Sequence, residues 1–255
     1  MIKRSWRQID ALVVHIRHRF TQHRHQRWYD RFDWLAGELI RNDWSLKAVH
    51  RTILISGTYR QSSRYDEKRA GLDAGNRYLW RKTPLRLEAE AVRDAILAVS
   101  GQLNKTMHGP GYHDFRTFSS NSQFYEMLDP SGPTFHRRSI YRTWVRSGRS
   151  RFLDVFDCPD PSAKAPSRVV TTTPLQALSL LNNSFVLRMA DRFAERAARQ
   201  ADSDHEAQTR MVYRLAFGRR PTGRELAASV SFVEQHGLSA FCRVIFNSNE
   251  FLYVD

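Results

Sequence analysis

Arg137, Arg138, Tyr141, Arg142 and Arg146 crowd into ten residues of this chain, and Asp154, Asp157 and Asp160 follow at once. Arg168, Thr171, Thr172, Gln176, Asn182 and Asn183 continue the polar series. Their sequence neighbours are apolar, so some of these groups must be buried. A buried guanidinium needs a carboxylate or several carbonyls, and Asp154 and Asp157 are the natural partners. Two kinds of chemistry fit. One is a cleft for a sugar, a carboxylate or a phosphate, with an aspartate as acid or base. The other is an Arg–Asp network that pins an irregular segment to helices. The second is preferred, because structural ion-pair networks imitate active sites.

Other chemistries fare worse. Asp154, Asp157 and Asp160 lack the spacing of a calcium loop, and Pro159 and Pro161 interrupt them. No Gly-x-Ser-x-Gly is present, and Ser139 has no identifiable base. Gly109-Pro110-Gly111 lacks the length and the Lys-Ser/Thr of a phosphate loop. His108, His113 and His136 share the irregular segment, but nothing in the sequence ties them together. Cys158 and Cys242 are too few for a four-cysteine zinc site, though one disulfide between them is open. No Cys-x-x-Cys-His occurs, so the chain itself attaches no c-type haem, and no cofactor or metal is expected in it.

The 40 Lys and Arg exceed the 26 Asp and Glu, for a net charge of +14. Of that excess, +6 falls in residues 1–31, which also hold His15, His18, His23 and His25. This stretch reads as a solvated basic tail. Its sharper alternative is a nucleic-acid arm. No run approaches the ~18 apolar residues of a membrane span, and the apolar run Ala11–Val14 is too short for a signal-peptide core.

The elements that must position the polar series are mostly helices. Trp34, Leu35, Leu39 and Ile40 have helical spacing and stop at Asn42. Ser45 caps a second helix through Leu46, Val49 and Ile53 to Gly57. Thr83-Pro84 opens a third, striped by Leu87, Ala91 and Ala95 and by Val92, Ile96 and Val99, and ended by Gly101. Glu88, Glu90, Arg93 and Asp94 form local ion pairs on it. Residues 102–136 mix Gly, Pro, Asn and aromatics without period, an ordered excursion of the kind that often carries function. Ser139–Val145 alternates apolar and polar residues and is the best strand candidate. Thr173, Pro174 and Gln176 make a capping box. Asn182-Asn183 breaks that helix, and others start at Ser203 with Glu206, at Thr222 with Glu225 and at Ser239.

Several blocks together resemble one family: DWLAGELIRNDWSLKAVHRTILISGTYRQSS (33–63), NRYLWRKTPLRLEAEAVRDAILAVSGQL (76–103), RRSIYRTWVR (137–146), FDCPDPS (156–162), TTTPLQALSLLNNSF (171–185), AFGRRPT (216–222) and NSNEFLYVD (247–255). It is the planctomycete domain of unknown function at the C-terminus of large proteins that also carry a cytochrome-c-like domain. The resemblance covers about residues 32–255. It implies an exported, cell-envelope context, with c-type haem on an upstream domain and other domains of the parent protein or envelope components as partners. It supplies no catalytic residues. Family members lead into Asp-Trp-Leu through an Asn-Arg-x-Trp segment and a His-Pro-Glu-Leu-Leu run, absent before Asp33. Residues 1–31 are therefore expected to reflect a frameshifted or mis-assigned start, or a truncated remnant. Without a signal peptide the chain as given would stay cytoplasmic.

The expected fold is mainly α: a multi-helix domain with a small β element and a long structured irregular segment. Residues 32–101 should be helical, 102–170 irregular with short strands and 171–255 helical. The expected role is a structural or ligand-binding module. The alternatives are part of an enzyme acting on polysaccharide through the Arg/Asp cluster and, more weakly, nucleic-acid binding through the basic N-terminus.

Overall fold

Local capping chemistry sets most of the helix ends. Ser45, Asp66, Ser150, Thr173, Asn183, Asp204 and Thr222 each accept a backbone N–H from the first turn that follows. Thr173 with Gln176 and Thr222 with Glu225 form complete capping boxes. Gly101 and Gly218 take positive φ (74° and 70°) just past helix ends, a conformation that costs glycine nothing. The computed structural model describes residues 26–119, 122–146, 148–201 and 204–254. The readings made for residues 1–25, including the basic tail and its histidines, lie outside them.

The chain divides into two compact units, one ending at Thr83 and one beginning at Pro84. The first contains α1 (Gln26–Arg41), α2 (Leu46–Ile55) and α3 (Glu67–Leu72). Helix α1 runs straight through the composition break near residue 32. The α1–α2 connection places Asp43 and Trp44 at positive φ. Beyond α3, the Asp73 carboxylate accepts from the N–H groups of Arg77 and Tyr78, at 2.9 and 2.8 Å. Trp34, Trp44 and Ile55 stay exposed, and no described residue before Ala89 is a buried apolar one.

The second unit holds the core. Strand β1 (Leu85–Arg86) leads into α4 (Ala89–Val99); a hairpin of β2 (Phe115–Ser119) and β3 (Gln123–Met127) follows, then 3-10 turns at Pro133–His136 and Ser139–Tyr141. Helices α5 (Arg151–Val155), α6 (Pro174–Asn182), α7 (Ser184–Gln200), α8 (His205–Phe217), α9 (Gly223–His236), α10 (Leu238–Phe246) and α11 (Asn249–Leu252) lead to β4 (Tyr253–Val254). Short connections make α7, α8, α9 and α10 neighbours. Val92, Ile96, Leu180, Phe193, Val212 and Phe246 are fully buried among them, with Phe193 stacked on Phe246 at 5.6 Å. Strand β4 pairs antiparallel with β1, Tyr253 opposite Arg86, so the two ends of the unit meet.

The mainly α expectation holds, and three local expectations are corrected. Residues 84–88 are not the start of a helix: Leu85–Arg86 pairs with β4, and α4 begins only at Ala89. Tertiary pairing overrides the Pro84 start signal, and Val92 and Ile96 rather than Ala91 form the buried stripe. Ser139–Val145 is not a strand. Ser139 and Arg142 are buried while Ile140 is 75% exposed, the reverse of the alternation, because polar partners capture Ser139 and Arg142 three residues apart. The true hairpin lies upstream, where Phe118 stacks on Phe124 and Phe115 meets Tyr125 edge-on. The cap of α8 is Asp204 rather than Ser203.

Candidate functional site

Arg137 and Arg142 of the polar series are buried as anticipated, but not against Asp154 and Asp157. Arg137 donates to the carbonyls of Thr106, His108 and Pro110 and lies 3.9 Å above the Tyr141 ring. The Tyr141 hydroxyl accepts from the His108 N–H at 2.8 Å. Arg142, with a side chain only 1% exposed, pairs with Asp114 at 2.7 Å and stacks on Trp144. Carbonyls and Asp114 win because the Tyr112↔Arg142 bridge brings the excursion alongside, whereas Asp154 sits on α5 and pairs with Arg149 at 3.0 Å. Arg138 is exposed, its guanidinium beside the Met107 sulfur.

Asp157 belongs to a second cluster, around an arginine outside the polar series. Arg86 projects from β1, its side chain 4% exposed, and donates to Asp157 at 2.6 Å, to Gln176 Oε1 at 2.7 Å and to the Thr171 carbonyl. Asp157 also accepts from the Thr171 N–H and hydroxyl, at 2.8 and 2.7 Å. Burial alone would raise its carboxyl, but the Thr171 bonds and the Arg86 guanidinium hold it below the usual range. Gln176 Nε2 donates to the Val155 carbonyl at 3.0 Å, which ties the first turn of α6 to the end of α5. Arg168 forks onto Glu90 of α4, at 2.7 and 3.0 Å. Thr172 meets the Tyr253 hydroxyl at 3.2 Å, and Asn182 Nδ2 donates to the Leu178 carbonyl at 3.1 Å. The candidate residues thus fall into separate braces rather than one cleft. Cys158 and Cys242 are both buried free thiols, so no disulfide joins them.

The acidic face of α4 does more than pair locally. Arg93 donates to the carbonyls of Phe135 and Arg137 and to the Ser139 hydroxyl. Asp94 accepts from the Ser139 N–H at 2.8 Å and from its hydroxyl at 2.7 Å. Together they hold the excursion against the helices, and beside that brace a cavity of about 430 Å³ opens. Arg93, Tyr112, Asp114, the end of β3 through Pro130, Phe135–His136, Ser150–Phe152 and the start of α7 line it. Arg188 of α7 forks onto Asp129 at 2.8 and 2.6 Å, fixing the loop after β3 to the helix.

Unsatisfied polar atoms lie in the framework around the cavity. The hydroxyl of Tyr112 and Oδ1 of Asp114, on two cavity-lining residues, and both terminal nitrogens of Arg142, which does not line it, are closed off and have no hydrogen-bond partner among the described residues. Buried polar atoms in folded proteins are nearly always bonded, so these are exceptions, and none of them faces the open space of the cavity. Burial pushes the Tyr112 hydroxyl up. The Arg188 fork holds Asp129 below the usual carboxylate range, so it is ionised. Burial first, then Arg93, Arg188 and Arg192, hold His136 below its ordinary value, so its ring is neutral at pH 7.

Of the polar series, Asn182 and Asn183 line this cavity. Sequence reasoning missed Tyr112, Asp114, Asp129 and Arg188. One signal was present: Gly111, whose added Cβ would lie 2.8 Å from the Tyr141 carbonyl, marks the close approach that positions Tyr112. Among the described residues, no group of three or more His, Cys, Asp or Glu side chains could hold a metal ion. No described helix is long and apolar enough to cross a membrane.

A helical domain with an arginine-braced excursion around one polar cavity is the class that fold and site define. Within that class, the chain belongs to the family described as protein of unknown function (DUF1553), whose model matches residues 29–233. No curated protein and no solved structure matches the chain.

Proposed function

We propose that the domain is a ligand-binding module and that the cavity beside Tyr112 is its site. The observation that carries this reading is a cavity of about 430 Å³ whose wall combines the exposed Arg151 and Ser184 with Asp129, His136 and the Phe135 ring. That volume lies within the range of small-molecule pockets, whose mixed apolar and polar walls this one shares. The Arg/Asp braces are the frame. Asp157 is held ionised by Thr171 and Arg86, which makes it a poor proton donor at neutral pH and disfavours a polysaccharide-cleaving centre there.

The resemblance of the sequence blocks to the planctomycete domain supports a place at the C-terminal end of a larger, exported protein with a cytochrome-c-like domain. In that setting the module would present its ligand to the rest of the parent protein or to envelope components. The test uses Ser184, an exposed cavity-lining residue at the start of α7. Thermal unfolding of the full chain is followed with a panel of small sugars and organic acids. Stabilisation of the wild type that Ser184→Trp abolishes supports the site. No stabilisation, or equal stabilisation of both proteins, overturns it.

A further inference from the structure

Helices α1 and α2 of the first unit carry apolar stripes that stay exposed. Phe32, Ala36 and Ile40 recur every four residues on α1, and Leu46, Ile53 and Leu54 keep the helical period on α2. Their short connection makes the two helices antiparallel neighbours, with Leu35, Leu39, Ala48 and Thr52 half buried. Phe32 is nevertheless 62% exposed and Leu46 63%, and Ile40, Ile53 and Leu54 are exposed with them. A half-exposed apolar side chain of this size presents on the order of 100 Å². Together these side chains offer roughly 500 Å², near the largest apolar patch of an ordinary monomer. With a polar rim the face approaches the ~800 Å² per partner of a stable interface.

The charge around the stripes narrows the choice of occupant. Residues 32–55 hold Asp33, Glu38 and Asp43 against Arg41, Lys47 and Arg51, so this stretch is neutral in a chain of net charge +14. A polyanion is not drawn to a neutral face. Glu38 and Arg41 pair with each other at 2.6 Å, whereas Asp33, Lys47 and Arg51 have no ion pair to any described residue. Asp33 stands seven residues before Ile40, and Lys47 seven before Leu54, so each borders its stripe at the equivalent place. An acid thus edges α1, and bases edge α2. Such a face complements itself. When α1 of one copy lies on α2 of another, stripe meets stripe, and Asp33 of each copy faces Lys47 and Arg51 of the other. Laying α1 on α1 would set Asp33 against Asp33.

We propose that this face is the interface of a symmetric dimer, in which two α1–α2 pairs close into a four-helix bundle. The stripes supply the buried area, and the charged edges select the arrangement with α1 on α2.

Light scattering of the full chain as it elutes from size exclusion, over a range of loading concentrations, tests this. Wild type is expected at the mass of two chains. Leu46→Glu and Leu54→Glu, both at exposed positions, should each give a monomer with unchanged circular dichroism. Asp33→Lys should weaken the dimer about tenfold or more, and so should Lys47→Glu with Arg51→Glu; mixing these two charge variants in equal amounts should restore it. A wild type that is monomeric at every concentration, or a dimer that survives both leucine changes, overturns the proposal. So does a monomeric wild type that floats with phosphatidylcholine vesicles while Leu46→Glu does not, since the face would then belong to a membrane. Charge variants that each dimerise as tightly as wild type overturn the arrangement with α1 on α2.

Discussion

Replacing Arg86 with alanine removes the donor at the centre of a buried network. Its guanidinium reaches Asp157, Gln176, the Thr171 carbonyl and, at 3.4 Å, the Phe156 carbonyl. With side chains 4% and 16% exposed, the Arg86–Asp157 pair is screened little by solvent. Deleting one partner of such a pair costs ~3–5 kcal/mol, because the other charge stays buried. Thr171 still donates twice to Asp157, so the low end applies, about 3 kcal/mol. For a unit of this size that is a fall in Tm of about 6–12 °C, by far-UV circular dichroism. Asp157→Asn should destabilise comparably, and the two changes together should cost less than their sum. The pH dependence follows. A carboxyl held low stabilises fully above its unfolded value of ~3.9, and that stability is lost as pH falls through the folded value. Without Arg86 the folded value rises, so acid should narrow the gap between variant and wild type. A loss below about 1 kcal/mol, or strict additivity of the two changes, would refute the view that this pair holds β1 to the α6 cap.

Three further outcomes follow from the same geometry. Burial, with Glu90 adding to it, pushes the Cys158 thiol up to about 12, so it should resist alkylation at pH 8 in the folded chain and react on unfolding; rapid labelling of the native protein would contradict the packing. Gly111→Ala should cost about 1–3 kcal/mol in urea unfolding, since a Cβ there meets the Tyr141 carbonyl at 2.8 Å and the Thr143 hydroxyl at 2.9 Å; a neutral result would mean the excursion is looser than its bridges imply. His136, held neutral by burial and by Arg93, Arg188 and Arg192, should be easier to protonate with an anion in the cavity. In the free chain its ring resonances should titrate below the ordinary imidazole range by NMR, and titration at or above that range would contradict the packing around it.

The parts of the fold that could be read from the sequence are those decided within one helical turn. Thr173 with Gln176, and Thr222 with Glu225, stand three residues apart in sequence and bond as the capping box requires. The helical C-terminal third was legible for the same reason. The candidate site was not, because its bonds span the chain. Arg86 finds Gln176 at a separation of 90 residues and Asp157 at 71. Arg142 finds Asp114 at 28, passing over the closer Asp154. An arginine beside a buried helical stripe, as Arg93 is beside Val92, looks like any solvent-facing charge until the excursion folds onto it. Ser139–Val145 misled for a related reason: its alternation was real, but Asp94 and Asp114 decided which side chains went inside.

Crystallographic screening of small polar fragments against the full chain tests the central claim most directly. The account predicts that bound fragments gather in the cavity and contact Arg151, Ser184 or the Phe135 ring. Fragments that collect elsewhere while this cavity takes none would contradict it.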